Sequence, residues 1–403
     1  MPVLIVKIGR YPLHHGSVGV IRTLGRAGVP VYAITEDRFT PAALSRYLRR
    51  RFVWPTTGLE REEQLLEGLV SVGRRLERPA LAIPTDDEAA VLLAERAAEL
   101  AEWFIMPTVA PELPRTLASK CGLSQLCRQH GVPTPRTIFP SSREELLEDN
   151  IWDMLPVVVK NVEPWGRLRA PAVSGTTVVH TAEELLALAG SWDPWPDVML
   201  QQYLPREESE DWIFQAYCDE DSSCLVSFTG IKVRSWPPHA GVTTYACARP
   251  NPGLTEMAEE FCRNIAYRGI ADMDWRLDRR DGTMNLVDFN PRVGAQFRLF
   301  ENEASIDVVR AQHLDLTGRR VPEGRQVQGR RFVVEHLDAA ARLAYASFAA
   351  PPQDGQKGKT EFAWLALDDP APFMAMAARF ARPAIARLAK DRAARSRRNF
   401  RRS

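Results

Sequence analysis

A chain of 403 residues that is 45% hydrophobic and 26% charged lies in the ordinary globular range. It is long enough for two to four domains, and its composition excludes a wholly disordered chain, a collagen-like repeat and a small disulfide scaffold. The formal net charge of +1 is unevenly spread: residues from Ala381 to Ser403 carry a net +8, leaving a mildly acidic body at −7 that does not read as a nucleic-acid binder.

In chain order, Val3 to Lys7 is a buried-strand run, and HHGSVGVIRTLGRAG carries apolar residues at helical spacing up to Gly28. Val31 to Ile34 is a second apolar run, which makes a βαβ start, and Ala80 to Ile83 a further strand. PTDDEA then reads as an N-capping stretch for the helix EAAVLLAERAAELAEW. This pattern predicts a parallel sheet whose loops collect ligands at the strand C-ends. Gly9, Gly16 and Gly19 do not have the G-x-G-x-x-G spacing of a dinucleotide site, which argues against an NAD-type oxidoreductase. Gly16, before a helix N-terminus, can still hold a small anion such as a substrate carboxylate.

A helix is expected around Leu117 to His130, a strand at LPVVVK ending on Lys160, and another at VMLQQYL. DWIFQAYCDEDSSCLVSFTGIKVRSW reads as an antiparallel hairpin around an acidic turn, followed by the helix LTEMAEEFCRNIAYRG. ADMDWRLDRRDGTMNLVDFNPRVGA is a second hairpin, turning at Arg280 to Gly282. Beyond residue 320, GRRFVVEHLD and KTEFAWLALDDPAP add a strand or two. PFMAMAARF and the residues after it then read as a basic amphipathic helix with Phe373, Met374, Met376, Phe380, Ile385 and Leu388 on its apolar face. That face either packs on the body or contacts a membrane surface or protein partner. The N-terminus passes from an apolar run straight into Lys7 and Arg10, so a cytoplasmic protein without a signal peptide is expected. The six cysteines form no C-x-x-C pair and no cluster with His, pointing to reduced, buried thiols rather than a zinc site or disulfide frame.

Only seven of the 52 basic residues are lysine, and Lys7, Lys120, Lys160 and Lys232 lie in or beside apolar runs. A compact ammonium suits a crowded phosphate site better than a planar guanidinium. After Lys160 comes a loop with Gly166, Ser174, Gly175 and Thr176, a source of backbone N–H and hydroxyl donors. QQYLPREESEDW follows, an apolar strand end beside acids that suits an adenine and a ribose. Asp274 on one strand of the last hairpin faces Asp288 and Asn290 on the other, and the i, i+2 spacing puts the latter two on one face. Such hard oxygen donors suit Mg²⁺, and Arg292 stands just beyond them.

This order of features from about residue 115 to 296, with LVDFNPRVG in the place of a strand ending Glu-x-Asn-Pro-Arg, resembles the ATP-grasp superfamily, particularly its carboxylate–amine ligases and D-aspartate-ligase-like members. The resemblance implies an N-terminal α/β domain (1–114), two ATP-grasp subdomains (115–196 and 197–320, the second with the metal site) and a C-terminal extension (321–403). It further implies that ATP phosphorylates a carboxylate to an acyl phosphate, which an amine then captures. Carried over, Lys120 and Lys160 contact the ATP phosphates, Ser174, Gly175 and Thr176 lie in the loop above them, and Gln201, Gln202, Tyr203 and Leu204 form the adenine hinge. Either Glu208 or Asp211 holds the ribose. Asp274, Asp288 and Asn290 hold Mg²⁺ or Mn²⁺, with Arg292 against the transferred phosphoryl group. Lys232, Arg234 and His239 face the acyl phosphate and the acceptor. The chain departs from the family in having Asp288 where Glu is usual and a glycine-poor phosphate loop. These departures keep open a non-catalytic ATP-binding scaffold; homodimerisation is also left open.

Overall fold

The structure, a computed structural model, describes residues 1–147, 149–163, 171–173, 176–237, 241–344 and 358–381. The first domain is built on a five-stranded parallel sheet. Its strands are β1 (Val3–Val6), β2 (Val31–Thr35), β3 (Leu48–Val53), β4 (Ala80–Pro84) and β5 (Phe104–Ile105), in the order β3-β2-β1-β4-β5. β1 and β2 are buried at every position, as unbroken apolar runs at the centre of a parallel sheet must be. The helix His15–Arg26 starts where the His14 ring accepts from the Ser17 N–H at 3.2 Å, and Gly28, at φ +75°, carries the chain out beyond it. β3, sequence LRRRFV, shows no strand signal beforehand because it is an edge strand whose three arginines face solvent. Asp86 caps the helix Asp87–Glu95 through the Ala89 N–H at 2.9 Å. It also accepts from the Ile8 and Gly9 N–H groups, fastening the loops after β1 and β4 together.

A four-stranded antiparallel sheet follows, from β6 (Thr137–Ile138), β7 (Val157–Asn161), β8 (Thr177–Val179) and β9 (Val198–Gln202), in the order β6-β9-β7-β8. β9 hydrogen-bonds to both β6 and β7, so this sheet includes residues up to 202. A seven-stranded sheet comes next. It contains β10 (Ser209–Cys218), β11 (Cys224–Trp236), β12 (Val242–Ala248), β13 (Gly269–Asp278), β14 (Met284–Asn290), β15 (Arg331–Val333) and β16 (Thr360–Phe362), ordered β14-β13-β10-β11-β12-β15-β16.

Alternation along β10 divides this sheet's two faces. Ile213 and Tyr217 join Phe228, Ala246 and Phe332 in a core shared with the helix His15–Arg26 of the first domain. Trp212, Phe214 and Ala216 join Met273 and Trp275 in a core with the helices Lys120–Gln129 and Pro252–Asn264. The residues beyond 320 supply β15 and β16. They then return to the first domain: the Asp369 carboxylate accepts from Arg22 Nε at 3.0 Å, Ser45 Oγ at 2.7 Å and the Arg46 N–H at 2.9 Å. The helix over 371–381 buries Met376 against the body, and Arg379 pairs with Asp37. Ile385, Leu388 and most of the basic tail lie outside the described residues. Among the described residues, no helix is long and apolar enough to cross a membrane.

Candidate active site

The two later sheets line a cleft of about 570 Å³ that Asp87 of the first domain also lines. One face of the seven-stranded sheet supplies most of its charge. The register pairs Asp274 with Asp288 and Asp272 with Asn290 across β13 and β14, while Asp211 and Lys232 sit on the same face of β10 and β11. Asp274, Asp288 and Asn290 all line the cleft, giving three hard oxygen donors together, as Mg²⁺ takes them. Lys232 Nζ donates to Asp274 Oδ1 at 2.9 Å, and Lys120 Nζ donates to Asp288 Oδ1.

Lys120 opens its helix, which Ser119 caps, and its backbone N–H donates to the Val162 carbonyl at 3.1 Å. Lys160 stands on β7, its ammonium donating to Gln201 Oε1 of the neighbouring β9 at 3.1 Å. The two lysines thus enter the cleft beside one another from a helix start and a strand. Burial, helped by the charge of Lys120, brings Lys160 down to about 8. Burial acts the same way on Lys232, but Asp274 and Asp211 outweigh it and hold that lysine above its ordinary range. For Asp288, burial is outweighed by Lys120, Lys160 and Arg292, which hold its carboxyl below the usual range.

Gln201, Gln202, Tyr203 and Leu204 form one wall, with Val158, Val178 and Trp275 adding apolar surface for a flat ring. Thr176 lines the cleft just before β8; Ser174, Gly175 and His239 lie outside the described residues. The two acidic positions proposed for ribose are now separated. Asp211 lines the cleft and accepts from Arg276 Nε at 2.6 Å, whereas Glu208 is half exposed and faces Arg280 at 3.6 Å.

Arg234 does not share the cleft with Lys232. Two strand positions separate Lys232 from Arg234, yet their partners on β12 are the adjacent Ala246 and Tyr245, so an extra residue, Val233, is accommodated between them. The register is irregular on both sides of Arg234, so regular alternation from Lys232 does not extend to it. Arg234 pairs with Asp338 at 2.8 and 3.0 Å and lies 4.3 Å from the Tyr245 ring centre, buried. Arg234 is thus outside the lining of the cleft that Lys232 enters.

Arg292 stands beside Asn290, donating to its Oδ1 at 2.9 Å and to Asp87 Oδ1 at 2.8 Å. Sequence reasoning missed Asp87, a first-turn residue of a helix in another domain. It also missed Asp272, which the period-two rule finds directly from Asp274. Asp272 is buried and accepts from Gln215 Nε2 at 2.7 Å and Gln296 Nε2 at 3.2 Å. Burial, with Asp274 adding to it, pushes Asp272 up to about 7. Gly294 is required beside this group, because a Cβ there would collide with the Asp272 carboxylate and the Gln215 amide. The N-terminus of the helix His15–Arg26 also abuts this loop, where a Cβ on Gly16 would come within 3.1 Å of the Ala295 Cα.

The chain is 24% identical to a D-aspartate ligase of Enterococcus faecium over 299 residues, 68% of each chain. Solved structures share the architecture. An N5-carboxyaminoimidazole ribonucleotide synthetase from Thermus thermophilus matches at a TM-score of 0.59 and 16% identity, over 81% of both chains. An L-amino acid ligase from Bacillus licheniformis matches at 0.58 and 16%, over 78% of this chain and 74% of that one. The chain has the ATP-grasp fold. A further ATP-grasp structure, the biotin carboxylase domain of a Hydrogenobacter thermophilus 2-oxoglutarate carboxylase with MgADP, matches at 0.58 and 17%, over 80% of this chain and 71% of that one. No family model matches the chain.

Proposed function

We propose that this protein is an ATP- and Mg²⁺-dependent ligase that activates a carboxylate as an acyl phosphate and joins it to an amine, with an amino acid or similar small biosynthetic molecule as substrate. The observation that carries this reading is the convergence of Lys120, Lys160 and Lys232 with Asp274, Asp288 and Asn290 in one cleft. The D-aspartate ligase and L-amino acid ligase relatives support the substrate class.

In the first step a carboxylate oxygen attacks the γ-phosphorus and the bond to ADP breaks. In the second the amine nitrogen attacks the acyl carbon, a C–N bond forms, phosphate leaves with the C–O electron pair, and the amine proton passes to phosphate or solvent. Phosphoryl transfer needs position and positive charge more than covalent chemistry. Lys120 and Lys160 hold the phosphates, and Gln201 to Leu204 receive the adenine beside Val158 and Val178. Asp211 accepts from the ribose hydroxyls. Arg292, held between Asn290 and Asp87, meets the transferred phosphoryl group, and Lys232 stabilises charge on the carboxylate. Bound Mg²⁺ would lie on Asp274, Asp288 and Asn290 and neutralise phosphate charge.

ADP release from purified protein with Mg-ATP and pooled carboxylates and amines tests this reading. Release should depend on substrate, stop on chelation of Mg²⁺, and disappear in Asp288→Ala and Lys160→Ala. Tight ATP binding without release across pools that include every common amino acid would instead support the non-catalytic scaffold, which Asp288 in place of Glu favours.

A further inference from the structure

The cysteines, unremarkable by spacing, are not independent in space. Cys218 ends β10, Cys224 begins β11, and Cys262 lies in the last turn of the helix Pro252–Asn264. Their sulfur atoms lie within 4.8 Å of one another, and Cys218 Sγ is 3.0 Å from Cys224 Sγ. Among the described residues, this is where metal-capable side chains converge most tightly outside the carboxylate site. It is also remote from the cleft. Asp211 and Cys218 are seven residues apart on one strand, about 24 Å at some 3.4 Å per residue.

We propose that Cys218, Cys224 and Cys262 form a three-thiolate site for a thiophilic cation of low coordination number, Cu(I). Three observations carry it. A disulfide employs two sulfurs, whereas three converge here from two strands and a helix, and a metal uses all three. Sulfurs about 2.3 Å from a central ion in trigonal array stand about 4 Å apart, so the cluster opens by only about 1 Å at Cys218 and Cys224 to accept one. The sulfurs are also without a histidine or carboxylate in their group, and soft thiolate ligands alone select Cu(I) over hard cations.

The turn between the strands is rigid enough to preset two of the ligands. Asp219 Oδ1 accepts from the Asp221 and Ser223 N–H groups at 3.0 and 2.9 Å, and the Asp219 N–H donates to the Ser223 carbonyl at 3.0 Å. Cys224 is itself partly exposed, and a neighbouring groove carries Glu256, Glu259 and Glu260 together with Arg263. Glu259 precedes Cys262 by three residues, so both lie on one helix face. Each ligating thiol releases its proton to solvent and no electron is transferred.

The test uses the full chain, purified reduced and metal-free, and titrated anaerobically with Cu(I) supplied as its bicinchoninate complex. Wild type should withdraw one equivalent. Cys218→Ser and Cys262→Ser should withdraw none, while Cys121→Ser, altered outside the cluster, should behave as wild type. Circular dichroism checks folding; should the buried Cys262→Ser fail to fold, Cys224→Ser, at the partly exposed hairpin end, reads the same question. Absence of uptake by the reduced wild type, or uptake that survives loss of a cluster cysteine in a folded variant, overturns the site. A bound copper that only Zn(II) at equal concentration displaces fully would overturn the preference for low coordination.

Discussion

Lys160 shows how a single side chain carries both binding and its pH dependence. The protonated form is the one that attracts phosphate, and burial beside Lys120 places its loss at about pH 8. Rising pH through that value removes the charge from the free enzyme. kcat/KM for ATP, which reports the free enzyme, should therefore fall above about pH 8 in an initial-rate profile, with kcat less affected because bound phosphate restores the proton. Lys160→Arg, always charged, should shift the fall to higher pH, even if its overall rate is lower. The scarcity of lysine made this residue visible in the sequence. Asp272 was equally visible through its i, i+2 relation to Asp274, but its strand partners Gln215 and Asn290 are needed to see that it is buried.

At the scale of the element, β11 separates two residues that regular alternation would have put together. Lys232→Ala should abolish most turnover with little change in thermal midpoint. Arg234→Ala should do the reverse, because it removes the buried guanidinium on Asp338 and leaves that carboxylate to Arg342 and Thr244; a loss of about 1–3 kcal/mol is expected. A thermal melt beside an ADP assay of each variant checks both. Strands with strong apolar runs or clear turns were legible: β1, β2, β4, β7, β9 and both long hairpins stand where the pattern put them, because burial dictates their composition. β3 was hidden by its exposed arginines; β15 and β16 fall in the two segments expected to add strands, but their pairing in the seven-stranded sheet was not legible across so long a sequence gap. The bulge at Val233 has no composition signal at all. The three-cysteine cluster was equally unreadable, since it joins a hairpin to a helix that follows it.

For the whole molecule, the first domain meets the seven-stranded sheet through a shared core around the helix His15–Arg26 and through one ion pair that reaches the cleft. Asp87 fixes the Arg292 guanidinium from across the domain boundary. Asp87→Asn should leave the fold intact and lower kcat by about 10²-fold through misplacement of Arg292, with a smaller effect on KM for ATP; steady-state kinetics decide it. The other joint is Arg22, nearly inaccessible, with its guanidinium on Asp369 Oδ2 at 3.0 Å and on the Trp364 and Asp369 carbonyls at 2.7 and 2.8 Å. Arg22→Ala leaves the Asp369 carboxylate buried without its cation and should cost about 3–5 kcal/mol in a denaturant titration.

This second joint sets an order on synthesis. Arg22 leaves the ribosome early, within a helix whose inward face is ready to pack, but the carboxylate that neutralises it is made more than three hundred residues later. Through most of translation the nascent first domain must keep a guanidinium in water that its finished form encloses. Its interior can close over that charge only when the far end of the chain arrives, so the domain that is made first is also the last to be completed.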